Sequence, residues 1–376
     1  MTGEAIVGIY GASGTMGAAI GGACTAPASA CVRSAATAAI AWPRTAPGRR
    51  LAVAARTERS ARALDGVAIV LDASAAAPTT GPGDTLVLTA LAAGAHYLDL
   101  RGEPRALRDL YERHEAAARQ AQQVVCGGVG FDVAVGDYLA ALAARAVELA
   151  QISRHAVAAV ATPEPAPLDE LTVAVAYDDL VVTPGGQRGL GELAAREGWR
   201  WRDDRWEPLA TGTEQRTVAF GADLGGERVA LAWPGGEVIT TPRHVHARAI
   251  HTFASLTRSE AGAGVARTLA RLLGPLARAG AIPTAPGLVV ALPGDAGARA
   301  RTRFAVVVQA RRDLAAAQLR VSGHDPAAIA VACAVGCVGE LLAAPHASGG
   351  VLTPAELRDP AVALVELDLT VERGAG

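Results

Sequence analysis

The chain has 376 residues, 51% of them hydrophobic and 19% charged, and its 35 basic and 37 acidic residues leave a net charge of −2. That length suits about two domains, and that apolar fraction excludes a disordered chain. A near-neutral chain with a pI of about 6.5 lacks the basic footprint of a nucleic-acid binder.

No lysine occurs, so all the basic residues are arginine. GC-rich coding explains that bias, yet the chemical exclusion stands. A lysine Schiff base, a P-loop lysine and a Tyr-x-x-x-Lys dyad are all ruled out. The five cysteines (Cys24, Cys31, Cys126, Cys333, Cys337) are scattered, with no C-x-x-C and no Cys/His quartet, so no metal site is expected. An odd, dispersed set fits a reducing compartment. No signal-peptide pattern opens the chain, and the apolar run Ala327 to Val338 is too short to span a bilayer. The expectation is a soluble cytoplasmic protein with neither membrane nor nucleic acid as partner.

In chain order, Glu4 to Tyr10 is a buried parallel strand, followed by a glycine turn and a helix of small residues. Pro27 to Arg49 is too long for an ordinary connection and reads as an insertion. Strands are predicted at Leu51 to Ala55, Val67 to Leu71, His96 to Leu100 and Val124 to Cys126. Between them, a helix from Leu86 ends at Gly94, and a second starts at Pro104 and runs to about Gln122. The second helix turns Leu107, Leu110, Tyr111 and His114 inward and pairs Glu115 with Arg119 outside. This alternation implies an α/β fold with a doubly wound parallel sheet. After about residue 150 the pattern changes. Leu171 to Tyr177 alternates like an antiparallel strand with one buried face, and Trp199, Trp201 and Trp206 flank a hairpin turn at Asp203-Asp204. Further strands are expected at Thr217–Phe220, Val229–Trp233, Glu237–Thr240, Val245–Phe253 and Phe304–Ala310. Helices are expected over Ala261 to Leu273 and from Asp325-Pro326 to about Ala343.

Gly11-x-x-Gly14-x-x-Gly17 between a first strand and a helix has the context of a dinucleotide turn. Glycines let backbone amides approach a pyrophosphate, and the helix N-terminus supplies donors and a positive dipole end. Gly11, Ser13, Gly14, Thr15, Met16 and Gly17 are the expected contacts. At the end of the second strand stands Arg56-Thr57-Glu58-Arg59. Arg56, with Thr57 beside it, is the first choice and Arg59 the second for the 2′-phosphate of NADP, while Glu58 leaves room for NAD.

Several stretches resemble the saccharopine dehydrogenase-like NAD(P)-binding oxidoreductases, including the trans-acting enoyl reductases. They are Gly11-Ala12-Ser13-Gly14-Thr15-Met16-Gly17; Ala54-Ala55-Arg56; Ala92 through Glu103, similar to A-x-G-x-H-Y-x-D-x-x-G-E; and Gly128-Val129-Gly130-Phe131-Asp132 with Gly136-Asp137. Pro242-Arg243-His244 and Gly350 through Glu356 add weaker matches. The resemblance covers residues 5–140 and thins beyond. It implies a Rossmann domain (1–140), an α+β substrate and dimerisation domain (141–322) and a C-terminal segment (323–376) that packs back on the first domain. Where the family often has Gly-Pro, this chain has Asp72-Ala73-Ser74, so the implied nicotinamide-side contacts are Ala73 and Ser74. Pro184 to Arg188 replaces a Gly-Gly-Thr stretch.

Hydride transfer asks the protein for positioning, a proton donor and exclusion of water. Tyr97 and Asp99 share one face of a strand near its carboxyl end, with Arg101 two residues on. They either face a substrate cleft or form a network that fixes the loop to Glu103. Asp132 follows a glycine turn at a strand end, and Asp137 reads as a site carboxylate or a helix cap. His244 and His246 share a strand face opposite His251, which suggests His244 as a proton donor. Tyr177 and Arg188 are further candidates. The catalytic set is thus Tyr97, Asp99, Asp132 and His244. The expected activity is NADP-dependent reduction of a conjugated enoyl C=C in a small metabolite. An imine reductase or saccharopine-type amino acid dehydrogenase is the enzyme alternative, and a non-catalytic NADP-binding sensor or scaffold the other. A homodimer through the second sheet and the tryptophan hairpin is expected.

Overall fold

The structure, a computed structural model, describes residues 5–12, 14–23, 49–50, 64–74, 82–157, 166–182, 197–256, 289–290, 296–343 and 349–374. Two units divide the chain. The first comprises Met1–Phe131 with Ala327–Arg358, and the second Asp132–Pro326 with Asp359–Gly376.

The chain begins with β1 (Ala5–Tyr10), α1 (Thr15–Ala23), β2 (Arg49–Arg50), β3 (Val67–Asp72), α2 (Pro82–Ala92), β4 (His96–Asp99), α3 (Pro104–Ala121) and β5 (Val124–Gly127). Next come α4 (Phe131–Val157), β6 (Glu170–Asp178), β7 (Val181–Val182), β8 (Glu197–Arg202), β9 (Arg205–Ala210), β10 (Gln215–Ala219), β11 (Glu227–Ala232), α5 (Glu237–Thr240) and β12 (Ala249–Ser255). The last elements are β13 (Val289–Val290), α6 (Ala296–Ala300), β14 (Arg303–Arg312), β15 (Ala315–His324), α7 (Pro326–Ala343), β16 (Gly350–Leu352), α8 (Pro354–Leu357), α9 (Pro360–Glu366) and β17 (Glu372–Arg373).

In the first unit the strands lie in the order β2-β1-β3-β4-β5-β16, every pair parallel. Their apolar runs suit strands buried on both faces. One face carries Val7, Ile9, Ile69, Leu71, Leu98, Val124 and Cys126, which pack with Val331, Ala334, Cys337, Val338 and Leu341 of α7. The small residues of α7 let it lie close to the sheet. This helix has 18 residues and is long and apolar enough to cross a membrane by those measures, so the shorter run Ala327 to Val338 understates it. In the first unit its apolar side is core. Cys333 and Cys337 are buried thiols.

Helix α3 buries Leu107, Leu110, Tyr111 and His114 as its spacing predicts. Tyr111 Oη donates to the Gly127 carbonyl at 3.0 Å. Glu115 pairs with Arg119 and also accepts the Val351 amide at 2.9 Å, which ties down the edge strand β16. Gly94, at φ +73°, ends the preceding helical segment as expected. Strand β2 begins within the stretch read as an insertion; Leu51 to Ala55 lie outside the described residues.

The second unit holds a sheet in the order β10-β11-β12-β6-β14-β15-β17, with β8 pairing both β12 and β9. β6 differs from its expectation. It pairs parallel with β12 and antiparallel with β14, and it buries Leu171 and Val173 on one face and Ala174 and Ala176 on the other. Neighbours on both edges make it the centre of the sheet. The tryptophan hairpin forms as predicted. Asp203 and Asp204 turn at φ 45° and 59°, and Trp201 meets Trp206 edge-on at 5.2 Å.

Two predicted strands are corrected. Glu237–Thr240 is a short helix, and β12 starts only at Ala249. Pro242 sits in a tight turn whose Thr241 carbonyl accepts the His244 and Val245 amides at 3.1 and 2.9 Å, which curls the backbone away from extension. The helix expected at Ala261 to Leu273 lies outside the described residues. After Arg358 the chain rejoins the second unit, where β17 pairs with β15 at Leu319↔Arg373 and Arg320↔Glu372. The stretch belonging to the first unit is therefore 327–358, shorter than the expected 323–376.

The second unit buries an ion pair. Arg228 Nη2 lies 2.7 Å from Asp178 Oδ1, with side-chain exposures of 1% and 5%, and Arg303 reaches the other carboxylate oxygen at 3.0 Å. Breaking one partner of such a pair strands a charge. Asp178→Ala should cost about 3–5 kcal/mol in urea unfolding. A loss below about 1 kcal/mol would mean that solvent reaches Arg228.

Candidate functional site

The glycine turn of the first unit owes its shape to backbone contacts. Gly11 has φ +81°, and a Cβ there would lie 2.8 Å from the Ser74 nitrogen and 3.0 Å from the Ala73 carbonyl carbon. At Gly17 a Cβ would meet the Gly11 oxygen at 2.3 Å and Ala12 Cα at 2.6 Å. The Gly14 amide donates to the Gly11 carbonyl at 2.9 Å, and Gly14 itself is exposed, with its nearest obstruction to a Cβ at 3.2 Å. Gly11 and Gly17 therefore shape the turn, while Gly14 keeps its outer surface low. The first-turn amides of α1, at Thr15, Met16 and Gly17, have no carbonyl within the helix to bond. This is the cradle a pyrophosphate requires, and the described residues fit a dinucleotide. Ser13, Arg56, Thr57 and Arg188 lie outside the described residues.

The sheet order reverses between β1 and β3, where an open α/β sheet takes its ligand. Asp72, Asp99, Tyr97 and Arg101 lie beside that point, all buried. Tyr97 Oη donates to Asp72 Oδ2 at 3.0 Å. Arg101 Nε bonds both Asp99 oxygens at 2.8–2.9 Å, as the sequence spacing suggests. Burial, with the charge of Asp99 adding to it, raises the Asp72 pKa, and burial holds the Tyr97 phenol neutral well above its usual range. Of the two roles open to Tyr97 and Asp99, the observed contacts are those of a network.

The second unit gathers a different set. His244 Nε2 lies 2.8 Å from Asp137 Oδ1, which also accepts the Thr241 hydroxyl at 3.4 Å. Asp137 is not a helix cap. It lies inside α4 and is fully buried. His244 ends the turn at Thr241–Arg243 and His246 is exposed, so the shared-strand-face argument for the two histidines fails. His251 is on β12, with Nε2 3.9 Å from Glu170. Among the described residues no group of three or more His, Cys, Asp or Glu side chains is placed to hold a metal ion.

Glu237 completes the second set. A Cβ on Gly136 would lie 2.4 Å from its Oε1, and one on Gly235 would lie 2.5 Å from its Oε2. The carboxyl thus occupies space that two glycines leave. Burial pushes its pKa up to about 8, with Asp137 and Asp132 adding to the rise. Asp132, in the first turn of α4, keeps an exposed surface, yet desolvation raises its carboxyl too. Tyr177 is raised well above its usual value by burial and by the charges of Asp132 and Glu237, so it stays a neutral donor.

The sequence singled out Asp132, Asp137, Tyr177 and His244 separately, and the structure groups them. It gave no role to Glu237, read as a strand residue, or to Asp72. The available signals were glycines, Gly136 and Gly235-Gly236 around Glu237, whose packing partners only the fold reveals.

No family profile matches the chain, and no curated protein matches it. Among solved structures, the DAP dehydrogenase of C. glutamicum in complex with DAP is 11% identical, with 96% of this chain and 97% of that chain covered, at a TM-score of 0.41. An engineered D-amino acid dehydrogenase bound to NADP+ is 10% identical over 95% of this chain and 97% of that chain, at 0.36. GenD2 from gentamicin A biosynthesis, in complex with NAD, is 14% identical over 85% of this chain and 72% of that chain, at 0.31. Likeness this low leaves the residues themselves as the ground for function.

Two measurements test the geometry. Gly17→Ala gains about 1 kcal/mol of helix propensity, but backbone overlap of this kind costs about 1–3 kcal/mol. Thermal unfolding should therefore show net destabilisation, and an unchanged or raised midpoint would contradict the tight turn. Glu237 has a native pKa of about 8 against 4.5 for the free group. Between those values the native state holds a proton that the unfolded chain has lost, so stability falls as pH rises from about 5 to 8. Glu237→Gln should flatten that part of the stability–pH curve. An identical slope in wild type and variant would mean that Glu237 ionises normally.

Proposed function

We propose that the chain is an NADP(H)-dependent oxidoreductase acting on the carbon–nitrogen bond of a small metabolite, reducing an imine or oxidising the corresponding amine. The observation that carries this choice is the grouping of Asp132, Asp137 and Glu237 with His244 and Tyr177. An enoyl acceptor develops negative charge on its carbonyl oxygen and needs cationic or N–H donors there. An iminium carries positive charge on nitrogen, which carboxylates stabilise. The aspartates of the cluster, with a Glu237 that ionises near neutral pH, therefore favour C=N over the conjugated C=C of the first expectation. The resemblance to saccharopine dehydrogenase-like oxidoreductases, which takes in enoyl reductases as well, supports a nicotinamide-dependent oxidoreductase without choosing between the two bonds.

Gly11, Gly14, Thr15, Met16 and Gly17 would hold the dinucleotide, with Ala73 and Ser74 bordering the turn. Arg56 is the proposed reader of its 2′-phosphate, since it stands where an acidic residue would select NAD. When bound, the nicotinamide supplies or accepts hydride. The protein's own residues do the rest. Asp137 fixes the His244 ring by its bond to Nε2. Glu237, neutral below about 8, can release or take up a proton near neutral pH. Asp132, a residue with exposed surface in the first turn of α4, supplies the carboxyl proposed to meet a cationic nitrogen.

The test is a turnover panel: NADPH oxidation with a cyclic imine and with a conjugated enone, and NADP+ reduction with amino acids. We expect turnover of the imine or an amino acid but not of the enone, and a fall in kcat/KM of about 100-fold in Asp132→Asn. Turnover of the enone alone would overturn the carbon–nitrogen reading. NADPH binding without turnover of any compound would overturn the enzyme reading.

A further inference from the structure

The segment after β3 is held by one carboxylate. Asp72 Oδ1 accepts both the Ser74 amide at 2.9 Å and the Ser74 hydroxyl at 2.6 Å. Its Oδ2 accepts the Tyr97 hydroxyl at 3.0 Å and lies 4.0 Å from Arg101 Nη2. Arg101 is itself clamped, by its backbone amide and its guanidinium, onto Asp99. The Ala73 amide meets the Tyr10 carbonyl at 2.9 Å, and the Ser74 backbone abuts Gly11. A carboxylate that is 2% exposed thus joins a solvent-side turn to a phenol that is fully buried.

This arrangement has a cost that the fold alone does not require. Two carboxylates share one arginine at the carboxyl ends of β3 and β4, where apolar side chains would pack as well. What it secures is the placing of Ala73–Ser74 beside the glycine turn at the reversal of strand order. In a doubly wound sheet each half receives one mononucleotide. The side of β1 toward β2 takes the adenosine part, and the side toward β3 and β4 the nicotinamide part. We propose that Asp72 is a positioning residue for the nicotinamide half of the dinucleotide, set by Tyr97 and Arg101 and acting through Ser74. The inference rests on the nucleotide reading above and names a residue that the reading does not use.

The experiment compares binding of NADPH with binding of adenosine 2′,5′-bisphosphate, which carries the adenosine half alone, by calorimetry. Tyr97→Phe and Ser74→Ala should each raise the NADPH Kd by about tenfold, the worth of a hydrogen bond to a charged group. Neither should move the Kd of the bisphosphate by more than about twofold. Because both act through Asp72, the double variant should lose less than the sum of the two. Ser74→Thr, which keeps the hydroxyl, should restore NADPH binding. Equal weakening of both ligands, or full additivity, would make the group a support of the sheet and overturn the inference; so would unchanged NADPH binding. Should Tyr97→Phe not fold, Ser74→Ala decides alone, since it removes only a hydroxyl near the surface. Wild-type protein that binds neither ligand would remove the nucleotide reading itself, and the inference with it.

Discussion

The first unit depends on a contact that involves no side chain. Where β1 ends, the Gly11 backbone touches the Ala73–Ser74 backbone, and Gly17 brings the start of α1 against the same turn. A single methyl at either glycine would intrude on atoms that cannot rotate aside. From this closeness follow the placing of the α1 amides and the register of Tyr10 beside Asp72. Shape is therefore set before any charged group is introduced, and the charged groups of Asp72, Asp99 and Arg101 are arranged around it.

The same logic of vacated space recurs in the second unit. Gly136 and Gly235 leave room for the Glu237 carboxyl, and without that room a buried acid beside Asp137 would not fit. Desolvation then holds the acid neutral up to about 8, so close packing by glycine yields a group that titrates near physiological pH. A chain with only 4% aromatic residues and 42 glycines shapes its sites by omission of bulk more than by its presence.

Much of the first unit was legible in the sequence because its elements are decided locally. Pro104, the inward face of Leu107 to His114, Gly94 and the glycine turn each carry a backbone or periodicity reason that tertiary packing does not override. The second unit was less legible. Glu237–Thr240 has the β-branched look of a strand, but the flanking Gly235-Gly236 and Pro242 curl it. β6 alternates like a strand with one buried face, yet both of its faces are buried, Leu171 and Val173 on one and Ala174 and Ala176 on the other. The pairing of Asp137 with His244 spans 107 residues of sequence, and no local pattern could join them. The site residues were thus recognisable one by one as chemistry, whereas their grouping belongs to topology.

The first unit is completed late. Its sheet edge β16 and its core helix α7 come from residues beyond Pro326, nearly two hundred positions after Phe131. On a ribosome working at about 5–20 residues per second, the apolar face of β1, β3, β4 and β5 waits roughly 10–40 seconds for α7. During that interval Val7, Ile9, Ile69 and Leu71 lack the helix that covers them. Such a nascent chain is a natural client for holding chaperones, and a message truncated before α7 would yield an aggregation-prone sheet rather than a working half-protein.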